Sequence, residues 1–353
     1  MQVESFPDCK NTNREAHTMT IKDLSAQTGY SVGTISRVLN NQPNVSDKAR
    51  TAILEAADRC GFQLNANAKQ LKQQHSNIVL VVVKGTSNEL FSSLVEAIQS
   101  RMAEIRQALV VDYMDEDGNE VLRALQLCRE KKPLGILFLG GNREHFLADF
   151  DKIRIPCVLV TNDASGLSFP NLSSVSSDNC LGARTAINSL AAMGHKKIAV
   201  IGGDRETSDT TRQRYQGCLE AFSAHNIAFD GDLDYESIRY SFEDGYRAAR
   251  NLLHRGRDFT AIFAMADIMA IGAIRALRDA GLRVPEDVSV MGFDGLLIGH
   301  YMIPTLSTIR QNVEELAERS IRILKENMES LQPPRYETVS VVAELRESIR
   351  DIR

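Results

Sequence analysis

Residues 20–40 read TIKDLSAQTGYSVGTISRVLN, and their spacing predicts two short helices joined by a tight turn. Thr20 is placed to cap the first, with Ile21 and Leu24 on its inner face. Gly29 supplies the turn, and Ser31 caps a second helix whose inward positions are Ile35 and Val38. Two such helices around a glycine turn make a helix-turn-helix, whose second helix is shaped to lie in the major groove of duplex DNA. Its outward positions are small or polar (Val32, Gly33, Thr34, Ser36) and then basic (Arg37). Together with Thr20, Ser31 and Asn40 they are the candidate DNA contacts. An ordinary surface helical hairpin shares the periodicity, so the segments that follow must decide.

Ser46 opens a third helix, with Asp47 near the positive end of its dipole and Ala49, Ile53, Ala56 and Cys60 at helical spacing. Next comes Asn65-Ala66-Asn67-Ala68-Lys69-Gln70-Leu71-Lys72, helix-capable, with one large apolar residue among small and polar ones. These segments resemble the LacI/GalR family of bacterial transcription repressors, and the resemblance runs from Thr20 to about Ser348. It implies that residues 65–72 form a hinge helix that orders on operator DNA, with Leu71 wedged into the minor groove. Such a wedge unstacks a base step and kinks the duplex, so that more protein surface reaches it. Leu64 stands where a proline is common in the family, and Lys69-Gln70 replace the usual Arg-Ser.

The expected organisation is a helix-turn-helix domain over 19–63, a hinge helix and linker over 64–76, and an effector-binding and dimerisation core over 77–353. Residues 1–18 are expected to be a disordered or non-native extension, because family members begin near the equivalent of Thr20, which makes Met19 an alternative start to Met1. Charge follows the same partition. Residues 19–75 carry seven Lys/Arg against four Asp/Glu, whereas residues 76–353 carry 32 against 39. A basic head on an acidic body suits a DNA reader, since phosphate contacts dominate affinity. The modest excess points to a homodimer, and no leucine heptad follows Ser348 to build a tetramer.

At 353 residues the chain exceeds one domain. No apolar run approaches the roughly 20 residues of a membrane span, and the polar opening MQVESFPDCKNTNREAHT lacks a signal peptide's apolar segment. Cysteines 9, 60, 128, 157, 180 and 218 are scattered without Cys-x-x-Cys or clustered histidines. They read as reduced thiols in a cytoplasm, not a metal site or disulfide frame.

From residue 76 strands and helices alternate. Ile78–Val83 is a continuous β-branched run expected as a buried parallel strand, and Leu109–Tyr113, Ile136–Leu139 and Cys157–Val160 repeat the signal. A second series comprises Ile198–Ile201, Ala261–Ala264 and Val288–Met291. Two such series predict two doubly wound α/β lobes with a ligand cleft at the carboxyl ends of their strands. The resemblance likewise implies a periplasmic-binding-protein-like core, with crossings near Ser176, Pro304–Thr308 and Pro333–Tyr336. On that pattern lobe 1 holds about 77–176 plus 308–333, and lobe 2 about 177–304 plus 336–348.

Phosphate-loop, dinucleotide-binding, zinc-protease and nucleophile-elbow patterns are missing, which argues against an enzyme and against a cofactor. The resemblance supplies cleft candidates instead. Arg214 opens a stretch similar to the family's Arg-x-x-Gly, Asp267 ends Phe263-Ala264-Met265-Ala266-Asp267, and Asp294 ends Met291-Gly292-Phe293-Asp294. It implies that Arg214 and Asp294 face the effector and that Asp267 lies at the cleft edge; simple mutual pairing or helix capping is the alternative reading. Phe91 and Tyr240 are candidate stacking surfaces, core packing being their alternative. A guanidinium beside carboxylates offers donors and acceptors suited to vicinal hydroxyls. Ala266 for an amide-bearing Asn, and Thr161-Asn162 for the usual Asp-Arg, argue against a large phosphate-bearing ligand. The expected protein is thus a cytoplasmic, dimeric, sugar-responsive repressor of a pseudo-palindromic operator. The alternative is a cytoplasmic small-molecule binder of the transport-receptor type without operator function.

Overall fold

The computed structural model describes residues 21–39, 45–60, 76–86, 88–102, 107–256 and 258–353. The chain divides into two compact units, Met1–Gln74 and His75–Arg353. The small unit contains α1 (Ile21–Thr28), α2 (Val32–Leu39) and α3 (Asp47–Arg59). Leu24, Ile35, Val38 and Ile53, one or two from each helix, meet in its core. Gly29 makes the turn between α1 and α2 at φ +70°, a conformation that a β-carbon disfavours.

The large unit holds two parallel-rich sheets. The first is built from β1 (Ile78–Lys84), β2 (Ala108–Met114), β3 (Gly135–Leu139), β4 (Cys157–Val160) and β5 (Leu172–Ser177). The second is built from β6 (Ile198–Gly202), β7 (Tyr235–Ser237), β8 (Ala261–Ala264), β9 (Ser289–Asp294) and β10 (Ser307–Gln311). Two late strands, β11 (Tyr336–Val339) and β12 (Val341–Glu344), add one edge to each. The orders are β11-β5-β4-β3-β1-β2 and β12-β10-β9-β8-β6-β7. Every pairing is parallel except β10 with β12. Val79 to Val83 are fully buried, as a strand covered on both faces by helices requires.

Each sheet reverses its strand order beside its first strand, β1 or β6, and such a switch point opens a crevice at the carboxyl ends of the strands. The sequence places polar or glycine residues there: Lys84, Gly140-Gly141 and Thr161 in one lobe, Gly203 and Asp294 in the other. The fold thereby positions the cleft before any side chain is considered.

The chain passes between lobes after Ser177, after Gln311 and after Val339. The second and third crossings fall later than the prolines suggested, and the lobe limits shift accordingly. Pro304 and the Pro333-Pro334 pair precede β10 and β11, and each strand is completed before the chain crosses at its far end. Residues 307–311 therefore pair with β9 in the second lobe, and residues 336–339 with β5 in the first. The helix Val313–Glu329 packs on β3, β4, β5 and the helix Glu89–Met102 of the first lobe. Strand β5, LSSVSS, escaped the sequence reading because serine carries little strand signal. Its buried hydroxyls are satisfied instead: Ser174 Oγ accepts from Ala164 N–H at 3.0 Å and Ser173 Oγ from Arg335 N–H at 3.1 Å.

Candidate effector cleft and DNA-reading helix

In the small unit, Ser31 caps α2 by accepting from Thr34 N–H at 3.2 Å, and the two hydroxyls lie 2.9 Å apart. Ile35 and Val38 point inward, leaving Val32, Gly33 and Arg37 exposed and Thr34 and Ser36 half-buried. Ser46 likewise caps α3 through Ala49 N–H at 3.4 Å. These caps fix where each helix begins, and hence which face it buries. Thr20, Asn40, Leu71 and the hinge segment lie outside the described residues.

The two sheets of the large unit flank a cavity of about 600 Å³. Phe91, Arg214, Tyr240 and Asp294 all line it. Arg214 projects from the helix Asp209–Ala224 and is almost wholly buried. Its Nε–H donates to Asn179 Oδ1 at 2.9 Å, a terminal N–H donates to the Met265 carbonyl, and another terminal nitrogen lies 3.7 Å from Asp294 Oδ1. The guanidinium carbon also sits 3.7 Å from the centre of the Phe293 ring, a cation–π contact. Such a built guanidinium has a fixed orientation, so its remaining donors act as a template.

Asp294 closes β9 at φ +118°, a conformation rare outside glycine, and Thr161 on the opposing lobe has φ +77°. Strained residues on both walls of one cavity are the pattern expected of a binding site. Burial pushes the Asp294 carboxyl up to about 6, against the opposing pull of Arg214 and of Gln311, whose Nε2–H donates at 2.8 Å.

Asp267 does not belong to the cavity wall, correcting the expected cleft-edge role. It is fully buried as the first residue of its helix. It accepts from Gly295 N–H at 2.8 Å, Leu296 N–H at 2.7 Å and the Thr308 hydroxyl at 2.6 Å. Its work is to clamp the turn after β9 onto β10, which holds Asp294 in place. Sequence spacing could not separate a carboxylate facing the cleft from one facing the turn behind it. Phe91, mostly buried, packs beneath Gly140, where an added β-carbon would come within 3.0 Å of its ring. The Tyr240 hydroxyl lies 3.0 Å from Thr211 Oγ1, so that ring has a polar anchor and an open side.

The first lobe supplies a cluster that sequence reasoning missed. Glu120, completely buried, accepts from Lys84 Nζ at 2.6 Å and Asn142 N–H at 2.6 Å, with His145 Nδ1 at 2.9 Å. Lys84, His145 and Asn142 all line the cavity. The signal was a charged residue closing the apolar run Ile78–Val83. Across the mouth, Arg239 of the second lobe pairs with Glu116 at 3.1 Å and with Asp117 of the first. No group of metal-ligating side chains occurs among the described residues, and no helix among them is long and apolar enough to cross a membrane.

Comparison with known proteins extends these observations. Residues 20–65 match the pattern of the bacterial regulatory proteins of the lacI family, and residues 187–349 match a periplasmic binding protein-like domain. The HTH-type transcriptional regulator MalR of Clostridium butyricum is 33% identical over 87% of this chain and 92% of its own length. The solved complex of transcriptional regulator CelR with cellobiose is 26% identical at a TM-score of 0.68, covering 94% of this chain and 99% of that one. The lac repressor dimer bound to operator and the anti-inducer ONPF shares the fold at a TM-score of 0.74, with 24% identity over 95% of this chain and 100% of that one. The chain therefore belongs to the LacI family of bacterial regulatory proteins and is a transcription regulator, with a DNA-binding helix-turn-helix head and a two-lobed periplasmic-binding-protein-like core.

Proposed function

We propose that the cleft takes a small neutral, hydroxyl-rich effector, a sugar or similar polyol, whose binding re-angles the lobes and changes operator affinity. The Arg214–Asp294 pair in the cavity wall carries this reading, because it presents fixed donors and an acceptor side by side. Carboxylates also outnumber cations around the cavity: Asp115, Glu116, Asp117, Asp204, Asp244 and Asp294 against Lys84, Arg214 and Arg239. An anionic ligand would meet that field at a cost, whereas a neutral one would not. The similarity to a regulator solved with cellobiose supports the same class. The ligand is bound and released unchanged, and the protein acts in the cytoplasm without enzymatic chemistry. A thermal-shift panel of cellobiose, ribose, glucuronate and hypoxanthine tests this, since a ligand at 100 times its Kd adds about 2.7 kcal/mol. A shift confined to the anionic or purine members would reject the polyol class.

The working unit is proposed to be a homodimer on a pseudo-palindromic operator. The turn after β9 leaves Leu297, Tyr301 and Ile303 exposed at 70%, 80% and 84%. Clustered apolar exposure of this degree marks an interaction surface. Leu71 is proposed as the minor-groove wedge. Leu71→Ala is then expected to weaken specific operator binding by a few kcal/mol while leaving binding to random DNA nearly unchanged. Gel-shift titrations on both DNAs check this; equal losses on the two would reject the wedge.

A further inference from the structure

Behind the cavity wall four buried hydrogen bonds and one ion pair form a closed ring that reaches the places where the chain crosses between lobes. Ser177, at the end of β5, donates its hydroxyl to Gln311 Oε1 at 2.6 Å, and Gln311, at the end of β10, donates to Asp294 Oδ1 at 2.8 Å. On the other side Arg214 lies 3.7 Å from that same oxygen and donates to Asn179 Oδ1 at 2.9 Å. Asn179 Nδ2 donates back to the Ser177 carbonyl at 3.2 Å, which closes the ring. All five residues are buried. The third crossing is tied in by the main chain, where Asp178 N–H donates to the Val339 carbonyl at 3.2 Å.

Arg214 and Asp294 line the cavity, whereas Ser177, Asn179 and Gln311 stand behind them at the crossings. A buried polar network has no water to replace a lost partner, so a change at one member is felt by the next. Ser177 ends a strand of one lobe and Gln311 a strand of the other, so their hydrogen bond spans the crossing at which the lobes would turn. A ligand hydroxyl that engages Asp294 or Arg214 competes for the same lone pairs and donors that hold the ring together.

We infer that Gln311 and Asn179 are positioning residues that couple the state of the cavity wall to the angle between the lobes. The inference rests on the cleft being the effector site, and it deepens that reading by naming what connects the site to the crossings. Coupling in this sense requires that perturbing one end change the free energy of the other.

The test is amide hydrogen exchange on the full-length chain without ligand, read on peptides covering residues 176–182 and 308–314. Asp294→Ala is expected to speed exchange at both crossings by about tenfold or more, because it strands the Gln311 amide. Asp294→Asn keeps an oxygen facing Gln311 and is expected to stay within about twofold of wild type there. In a Gln311→Met background Asp294→Ala should add less at the Ser177 crossing than it does in wild type, because only the path through Arg214 and Asn179 remains. Multiplying effects in the double variant, or unchanged crossings in Asp294→Ala, overturn the coupling. Should Asp294→Ala not fold, Ser177→Ala serves from the other end, since it deletes one hydroxyl. It is then expected to move the titration of the Asp294 carboxyl, followed by carbon-13 labelling, and an unmoved titration overturns the inference. No ligand enters these measurements, so their outcome is independent of which effector the cleft takes.

Discussion

Replacing Tyr301 and Ile303 together by aspartate is expected to give a folded monomer that no longer holds its operator. Both side chains project from the turn after β9 and touch solvent over most of their surface in the single chain, 80% and 84%. Their removal therefore leaves the core of their own lobe intact. In the proposed two-fold contact each substitution occurs twice, and four carboxylates would replace apolar surface at its centre. Buried charges without partners are strongly destabilising, so a contact of ordinary affinity would be lost. The consequence for DNA follows from avidity. A head with a small basic excess binds one half-site weakly, and linking two heads raises overall affinity by about 10²–10⁴-fold without any new contact. Sedimentation at micromolar concentration and a gel shift on the regulator's operator read the two effects. A variant that stays dimeric would exclude this surface as the interface, and a monomer with undiminished operator affinity would exclude the avidity argument.

The extent to which the sequence announced this arrangement depends on how local each signal is. Ser31, Ile35 and Val38 act within one helix, so their spacing predicted both the cap and the buried face that the structure has. The strand runs at Ile78, Ile198 and Ala261 were legible because parallel strands covered on both faces are continuous apolar stretches. The crossings were misplaced because a proline reports a turn, not a change of sheet. Arg214 and Asp294 were named from a family resemblance, and the structure brings them together. Asp267 was named on the same grounds and faces away from the cavity. Glu120, Asn179 and Gln311 gave no sequence signal. Each serves a partner 22 to 134 residues distant, and long-range hydrogen bonds leave no period in a chain.

Asp294→Ala is expected to abolish the response to the effector while leaving operator binding intact. The carboxylate stands beside Arg214 and Gln311, so its removal takes away an acceptor and leaves a buried guanidinium without its counter-charge. Truncating one partner of a buried charge pair typically costs about 2–5 kcal/mol, enough to reduce ligand affinity by roughly 30-fold to several thousand-fold. The DNA-reading helix belongs to a different compact unit, so its caps and exposed face are untouched. The proton balance of the site sharpens the test. Burial raises Asp294 to about 6, and burial together with the charge of Asp294 raises Asp267 to about 8. The two carboxyls titrate as a coupled pair, in which the Arg214 guanidinium favours the ionised form of Asp294. Ligand hydroxyls donate to the ionised form, so binding favours it and lowers its pKa. Affinity for a neutral polyol should accordingly be full above about 6 and fall as the pH drops below that value, approaching tenfold per unit. Asp294→Asn should bind weakly and lack this acid limb, since the group that titrates is gone. Isothermal titration with the sugar that stabilises the wild-type protein, from pH 5 to 7.5, measures both features. Wild-type affinity that stays flat across that range, or an alanine variant that responds normally, would remove Asp294 from the effector site.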